Sequence, residues 1–300
     1  MSWLSWFRGR GSGSSTRAVK DQVPEEEFLW VEGRRHVKDL PYLMPTDKYE
    51  FNRLDFQHYL IRYVMQCNYI APLANPTGIL DIGCGTGRWA HEMAIAFPQT
   101  KVFGLDIYAE QTQPEAVVPQ NYRFVKGNVL EELPFPDMTF DFVHQRFLHV
   151  AIPVTKWPHV IAELKRVTRL GGWVELAESD QVIHRGGPAM AQLTRWGLQW
   201  SQQRGIDAQV CANLPTLLHS AGLINIKNYR IDLPLGNWAG RIGNMTATDM
   251  YTYNRAIKPM MVRQLGLDGD LYDKVSQDMR QEWETNHCFF SFYVMCGQRV

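Results

Sequence analysis

No stretch of this chain holds the roughly 18 to 20 consecutive apolar residues that a membrane span needs, although 45% of its 300 residues are hydrophobic. Net charge is lacking too, with 31 basic residues against 31 acidic ones. Without an excess of one sign, nothing suggests a broad basic face for nucleic acid. The five cysteines, Cys67, Cys84, Cys211, Cys288 and Cys296, form no C-x-x-C pair and show no zinc-like spacing. No metal site is indicated, and they read as reduced, mostly buried thiols of a cytoplasmic protein. Trp3, Leu4, Trp6 and Phe7 make an apolar cluster too short and too interrupted for a signal-peptide core. What remains is enough chain for one substantial core and an added lobe.

The informative stretch is Ile79 to Gly87, where a short apolar run ends in an acid and glycines follow at alternate positions, Gly83, Gly85 and Gly87. This predicts a buried strand and a tight turn whose backbone approaches a ligand, since glycine tolerates positive φ and carries no Cβ. A helix over residues 88–97 would aim its unpaired N–H groups into the same space. The dinucleotide spacing G-x-G-x-x-G is missing. Asp81 at the strand tip would repel a pyrophosphate and attract an ammonium group, which favours S-adenosylmethionine (SAM) over NAD. A second strand, residues 101–105, ends at Asp106, roughly 20 residues past Gly83, where an α/β nucleotide site places an acid for both ribose hydroxyls. A third strand, residues 122–125, runs into Gly127 and Asn128, followed by Leu133 to Asp137 and Phe140 to Val143.

In that order these segments resemble motifs I to IV of the class I SAM-dependent methyltransferases. The resemblance implies an α/β, Rossmann-like sheet of seven strands, SAM as cofactor and S-adenosylhomocysteine as product. It assigns cofactor contacts to Asp81, Gly83, Cys84, Gly85, Asp106, Ile107, Asn128, Val129 and Gln145. Asn128 departs from the acid that many relatives carry there, but its side-chain oxygen can still accept from the adenine amine.

Residues 1–24 are expected to be a flexible basic tail, because Arg8, Arg10, Arg17 and Lys20 all precede the first acid, Asp21. Contact of its aromatic residues with a membrane surface and plain disorder both stand as readings, and stable membrane insertion is not expected. Residues 25–75 are expected to form a helical lid. Asp47 and Glu50 make a capping box, and Phe51, Leu54, His58, Ile61 and Met65 follow at helical spacing. The run from Tyr42 through Pro45, Asp47, Glu50, Arg53, Leu54 and Asp55 to His58 resembles the N-terminal signature of the LaeA-like methyltransferases of fungal secondary metabolism. That resemblance implies closure over the cofactor, with Tyr42 and His58 on the SAM side. Arg34, Arg35 and His36 either receive an anionic acceptor or are simply solvated.

The methyltransferase domain is expected over residues 76–300. Strand four, residues 140–144, leads into Gln145 to His149, which should line the crevice outside the strand ends. Gly171, Gly172, Trp173 and Glu175 again resemble the LaeA-like branch. A helix over residues 215–221 and strands over 224–233 and 287–298 would complete the sheet. Helical insertions over residues 188–205 and 244–285 carry Trp196, Trp200, Tyr251 and several methionines. These are either core or, with Arg146, the wall of an acceptor pocket.

Methyl transfer from a sulfonium requires alignment and exclusion of water, and needs a base only for a poorly acidic acceptor. Base candidates are His149, then Glu178 at the tip of strand five, then His184; the first two read equally as structural groups. Three functions follow from the sequence: a methyltransferase acting on a small, largely apolar secondary metabolite, a LaeA-like regulator working through partner binding, or a protein methyltransferase.

Overall fold

The computed structural model describes residues 28–38, 44–108, 117–207 and 209–300. The expected basic tail and Tyr42 lie outside the described residues. The first described segment departs from the helical lid. Strands β1 (Phe28–Val31) and β2 (Arg34–Val37) pair as an antiparallel hairpin. Aromatic and branched residues flank Glu32 and Gly33, both at positive φ, and this pair makes the tight turn. Helix α1 (Lys48–Met65) then begins at Asp47, whose carboxylate accepts the N–H groups of Tyr49 and Glu50. The capping box is only half made, because the Glu50 carboxylate turns to Arg53.

The seven-stranded sheet contains β3 (Gly78–Ile82), β4 (Lys101–Asp106), β5 (Tyr122–Lys126), β6 (Phe140–Arg146), β7 (Thr168–His184), β8 (Leu223–Pro234) and β9 (Phe289–Arg299), in the order β5-β4-β3-β6-β7-β9-β8. All neighbours from β5 to β7 are parallel, and β9 runs antiparallel between β7 and β8. Strand β3 is buried along its whole length, as a central parallel strand covered on both faces must be.

Helix α2 (Arg88–Ala96) places Trp89, Ala90 and Met93 against Ile79, Val102 and Phe142 on one face. On the other, α3 (Trp157–Val167) and α5 (Leu214–Ser220) meet Leu80, Ile82 and Val143. Beyond the strand ends a second core is built by α4 (Pro188–Gln203), α6 (Gly240–Leu265) and α7 (Gly269–Asn286). The insertion expected as one helix over residues 244–285 is therefore two. Gly266 ends α6 in the left-handed region, and the Asp268 carboxylate caps α7. Among the described residues no helix is long and apolar enough to cross a membrane.

The segment between α1 and β3 is tied to the sheet by a buried carboxylate. Glu175 Oε2 accepts the N–H groups of Ile70 (2.9 Å) and Ala71 (2.8 Å), while its other oxygen has no hydrogen-bond partner. Burial pushes the carboxyl up to about 7, although the two amides pull the other way. A carboxyl raised in the folded state contributes stability that is fully present below its unfolded value, near 4.5, and is lost as pH rises through about 7. Urea unfolding at about pH 5 and about pH 8 should therefore show a loss on the order of 3 kcal/mol in the native protein. Glu175→Gln, which keeps the accepting oxygen and cannot ionise, should flatten that part of the profile. Parallel profiles for the two proteins would contradict the assignment.

Candidate active site

The carboxyl ends of β3 to β6 converge on a cavity of about 200 Å³, where ligands bind in open parallel sheets. Its floor is the glycine turn after β3. Gly83 and Gly85 have φ of 66° and 54°, and a Cβ on Gly83 would meet Leu148 Cδ1 at 2.8 Å. Side chains there would strain the turn and fill the cradle. Asp106 accepts the N–H of Gly85 through Oδ2 (2.9 Å) and that of Tyr108 through Oδ1 (3.2 Å). Burial raises its carboxyl above the ordinary range, and the surrounding amide N–H groups oppose the rise.

Asp81 Oδ1 lies 2.9 Å from His144 Nδ1. The imidazole stacks on Trp89, ring centroids 3.8 Å apart and planes within 5°. Burial holds the His144 pKa down against the pull of Asp81, so the ring is a neutral donor that aims the carboxylate. Cys84, Ile107, Asn128, Val129 and His58 also line this cavity. Asn128 accepts the N–H of Leu130 (3.0 Å) and donates to Glu131 (3.1 Å), so one lone pair of its oxygen remains for a ligand.

Two expected residues lie elsewhere. Gln145, expected at the cofactor, is buried on the opposite face of the sheet and donates to Glu178 (3.1 Å). Arg146, expected at the acceptor, lines the cofactor cavity. Strand β6 runs on through Arg146, and its alternation turns these neighbours to opposite faces. Nor do Arg34 and Arg35 offer an anion site of their own. Arg34 pairs with Asp47, and Arg35 donates to the Thr46 carbonyl (2.7 Å).

A second cavity of similar size adjoins the first, and Leu54, Gln57 and Phe147 line both. Trp200 belongs to its wall. Trp196 and Tyr251 do not: Trp196 stacks on Tyr272 in the core (5.7 Å), and Tyr251 lies under the Arg280 guanidinium (4.6 Å). Met190, Met250, Met261, Met279 and Tyr253 are part of its apolar lining.

Its polar edge went unread in the sequence. Arg53 donates to Glu50 (2.6 Å) and to Asp249 (3.0 Å), and Gln57 donates to the other Asp249 oxygen (3.0 Å). Only the matched acid and base on α1 gave a local sign of it; Asp249 comes from α6. His149 also lines this cavity, its Nδ1 2.7 Å from Glu178 Oε2. Glu178 itself lines neither cavity and serves behind the imidazole. His184 lines neither as well; it stacks on Phe289 (4.7 Å) with Asp180 nearby.

A family model described as a methyltransferase domain matches residues 79–172. Methyltransferase pytC of Aspergillus terreus is 28% identical, the match covering 95% of this chain and 92% of that protein. The secondary metabolism regulator LAE1 of Pyricularia oryzae is 30% identical over 73% of this chain and 71% of its own length. Among solved structures, a geranyl diphosphate methyltransferase in complex with SAM aligns with a TM-score of 0.49 at 16% identity, covering 85% of this chain and 92% of that one.

The site fits SAM in its own terms: a glycine turn at positive φ that side chains would strain, an acid at the end of β4, and a carboxylate at the tip of β3. Asp106→Ala should weaken SAM binding by roughly 100-fold, because hydrogen bonds to a charged acceptor are lost. An unchanged dissociation constant by calorimetry would refute the ribose assignment. From the ordered motifs, the strand order, the cradle and the relatives together, the chain belongs to the class I SAM-dependent methyltransferases, in their LaeA-like branch.

Proposed function

We propose that this enzyme methylates a small, largely apolar acceptor of secondary metabolism held in the second cavity, in the cytoplasm. The observation that carries this reading is the junction of the two cavities at Phe147, with the His149–Glu178 pair facing the acceptor side. When bound, SAM supplies a methyl group already activated by its sulfonium charge. The chain's task is then to align the acceptor for in-line displacement and to keep water out, which together contribute about 7–11 kcal/mol. Methionine and aromatic walls serve both ends, since they exclude water and adapt to the shape they enclose.

Glu178 fixes the histidine tautomer. Its carboxylate accepts from Nδ1, so the imidazole takes up a proton at Nε2. A hydroxyl or amine beside Nε2 would lose its proton as the methyl arrives, and Glu178 would stabilise the resulting imidazolium. The Arg53, Glu50 and Asp249 network gives the cavity a fixed polar edge. A neutral acceptor with one acidic hydroxyl or amine is the chemistry this lining suits.

A second reading, a regulator that works through a partner, draws support from the identity to LAE1. Tritium-labelled SAM offered with a panel of small phenols, acids and amines separates the readings. The proposal expects label in an organic extract, and expects His149→Ala to lower that rate by about 10²- to 10⁴-fold with SAM affinity nearly unchanged. Label found only on protein would overturn the small-molecule reading. Tight SAM binding with no transfer to any panel member would favour regulation. Equal losses of rate and affinity in His149→Ala would make it a binding residue.

A further inference from the structure

Arg146 is the last residue of β6, and its guanidinium lines the cofactor cavity. Its one hydrogen bond among the described residues goes to an uncharged partner, from Nη2 to His58 Nδ1 at 3.0 Å. Burial holds the His58 pKa down, which leaves Nδ1 as an acceptor. His58 Nε2 lies 3.4 Å from Glu92 Oε1, and Glu92 is itself held by Arg62 (2.7 Å) and Asn68 (3.0 Å). The guanidinium thus bonds a neutral ring that has a carboxylate close behind it.

Nothing described supplies Arg146 with a counter-ion in direct contact. The carboxylates that act on it from a distance are Asp81, Glu92, Glu178 and Glu175, and each already has its own partners. The other arginines of the cavity are engaged, Arg88 with Asp55 (3.0 Å) and Arg35 with Thr46. A desolvated cation without an anion is costly, so such a site is built for a ligand that brings one.

Register decides where that anion belongs. Asp81 pairs with His144 across β3 and β6, and Arg146 lies two residues beyond His144, on the same face of the sheet. The tips of two adjacent strands therefore present a carboxylate and a guanidinium side by side to one cavity. A zwitterionic amino acid end is the complement of that pair, with ammonium toward Asp81 and carboxylate toward Arg146. A phosphate could pair with Arg146 but would meet the Asp81 carboxylate beside it and offer that acid no ammonium.

We propose that Arg146 receives the carboxylate of the methionine moiety of SAM, that His58 positions it, and that the pair selects for the intact amino acid end of the cofactor. This assignment rests on family membership and holds whichever acceptor the second cavity takes.

The test compares three ligands by calorimetry on the full chain: S-adenosylhomocysteine, its decarboxylated analogue and 5′-methylthioadenosine. The native protein should bind S-adenosylhomocysteine about 10- to 100-fold more tightly than the decarboxylated analogue, the range for losing a charge-assisted bidentate contact. In Arg146→Met that gap should shrink to about threefold or less, while affinity for 5′-methylthioadenosine, which lacks the whole amino acid, stays put. Arg146→Lys should keep part of the gap, since it retains charge without the planar fork. His58→Ala should narrow the gap less than Arg146→Met does. The proposal is overturned if the native protein binds the first two ligands equally, a result that needs no variant. It also fails if Arg146→Met keeps the full gap or weakens all three ligands alike.

Discussion

Glu178 accepts four hydrogen bonds from the end of β6 and the turn that follows it: from the Gln145 amide, the backbone N–H groups of Leu148 and His149, and the His149 ring. The carboxylate is wholly buried, and so many donors are what make a charge tolerable there. The bonds fix the path of residues 145–149 against β7. Phe147 is carried into the left-handed region at φ 53°, a conformation that costs a non-glycine residue of order 1–3 kcal/mol. Its N–H bonds the Ala177 carbonyl (3.0 Å), and its ring packs on Phe292. In consequence Arg146 opens into one cavity, His149 into the other, and Phe147 stands between them.

Several buried charges are matched inside the fold, and the part-buried Arg146 differs from them. Asp81 has His144, Arg53 lies between Glu50 and Asp249, and Glu175 is capped by two amides with room for a proton. Each arrangement offsets the loss of hydration with contacts inside the fold. Arg146 departs from it with a single hydrogen bond to a neutral ring. In a low-dielectric cleft such a departure is a specificity device, because any ligand lacking the matching charge leaves the desolvation of Arg146 uncompensated.

Local signals made the cofactor half legible before the structure. Gly83, Gly85 and Asp106 lie close in sequence, and their spacing alone encodes a strand, a turn and a second strand tip. The acceptor half was far less legible because its walls are non-local. Helical spacing marked Trp196 and Tyr251 as face residues without telling which neighbour that face meets; it is Tyr272 for one and Arg280 for the other. Asp249 reaches Arg53 from a helix nearly 200 positions away (|i−j| = 196), which no window could have shown. The reversed facing of Gln145 and Arg146 has a different cause. Strand phase is binary, so placing the crevice at the right strand end but one residue off reverses both side chains. The hairpin at residues 28–37 is hard to read because its strands are four residues each and sit among polar and turn-forming residues.

The two halves impose different tolerances on function. The cofactor cavity is rigid: backbone φ at the glycines, strand register and buried carboxylates leave it one shape. The second cavity, proposed for the acceptor, includes Met190, Met250, Met261 and Met279 from α4, α6 and α7 in its wall, and their unbranched side chains can repack around differing ligands. Its fixed points are the His149 ring and the Arg53 and Asp249 pair, both tied into hydrogen-bond networks. Selection of the acceptor should thus lie less in its outline than in where a hydroxyl or amine falls relative to those two points. A fixed donor site beside an adaptable wall would keep the reacting line constant while the rest of the acceptor varies, with Phe147 standing where the two cavities meet.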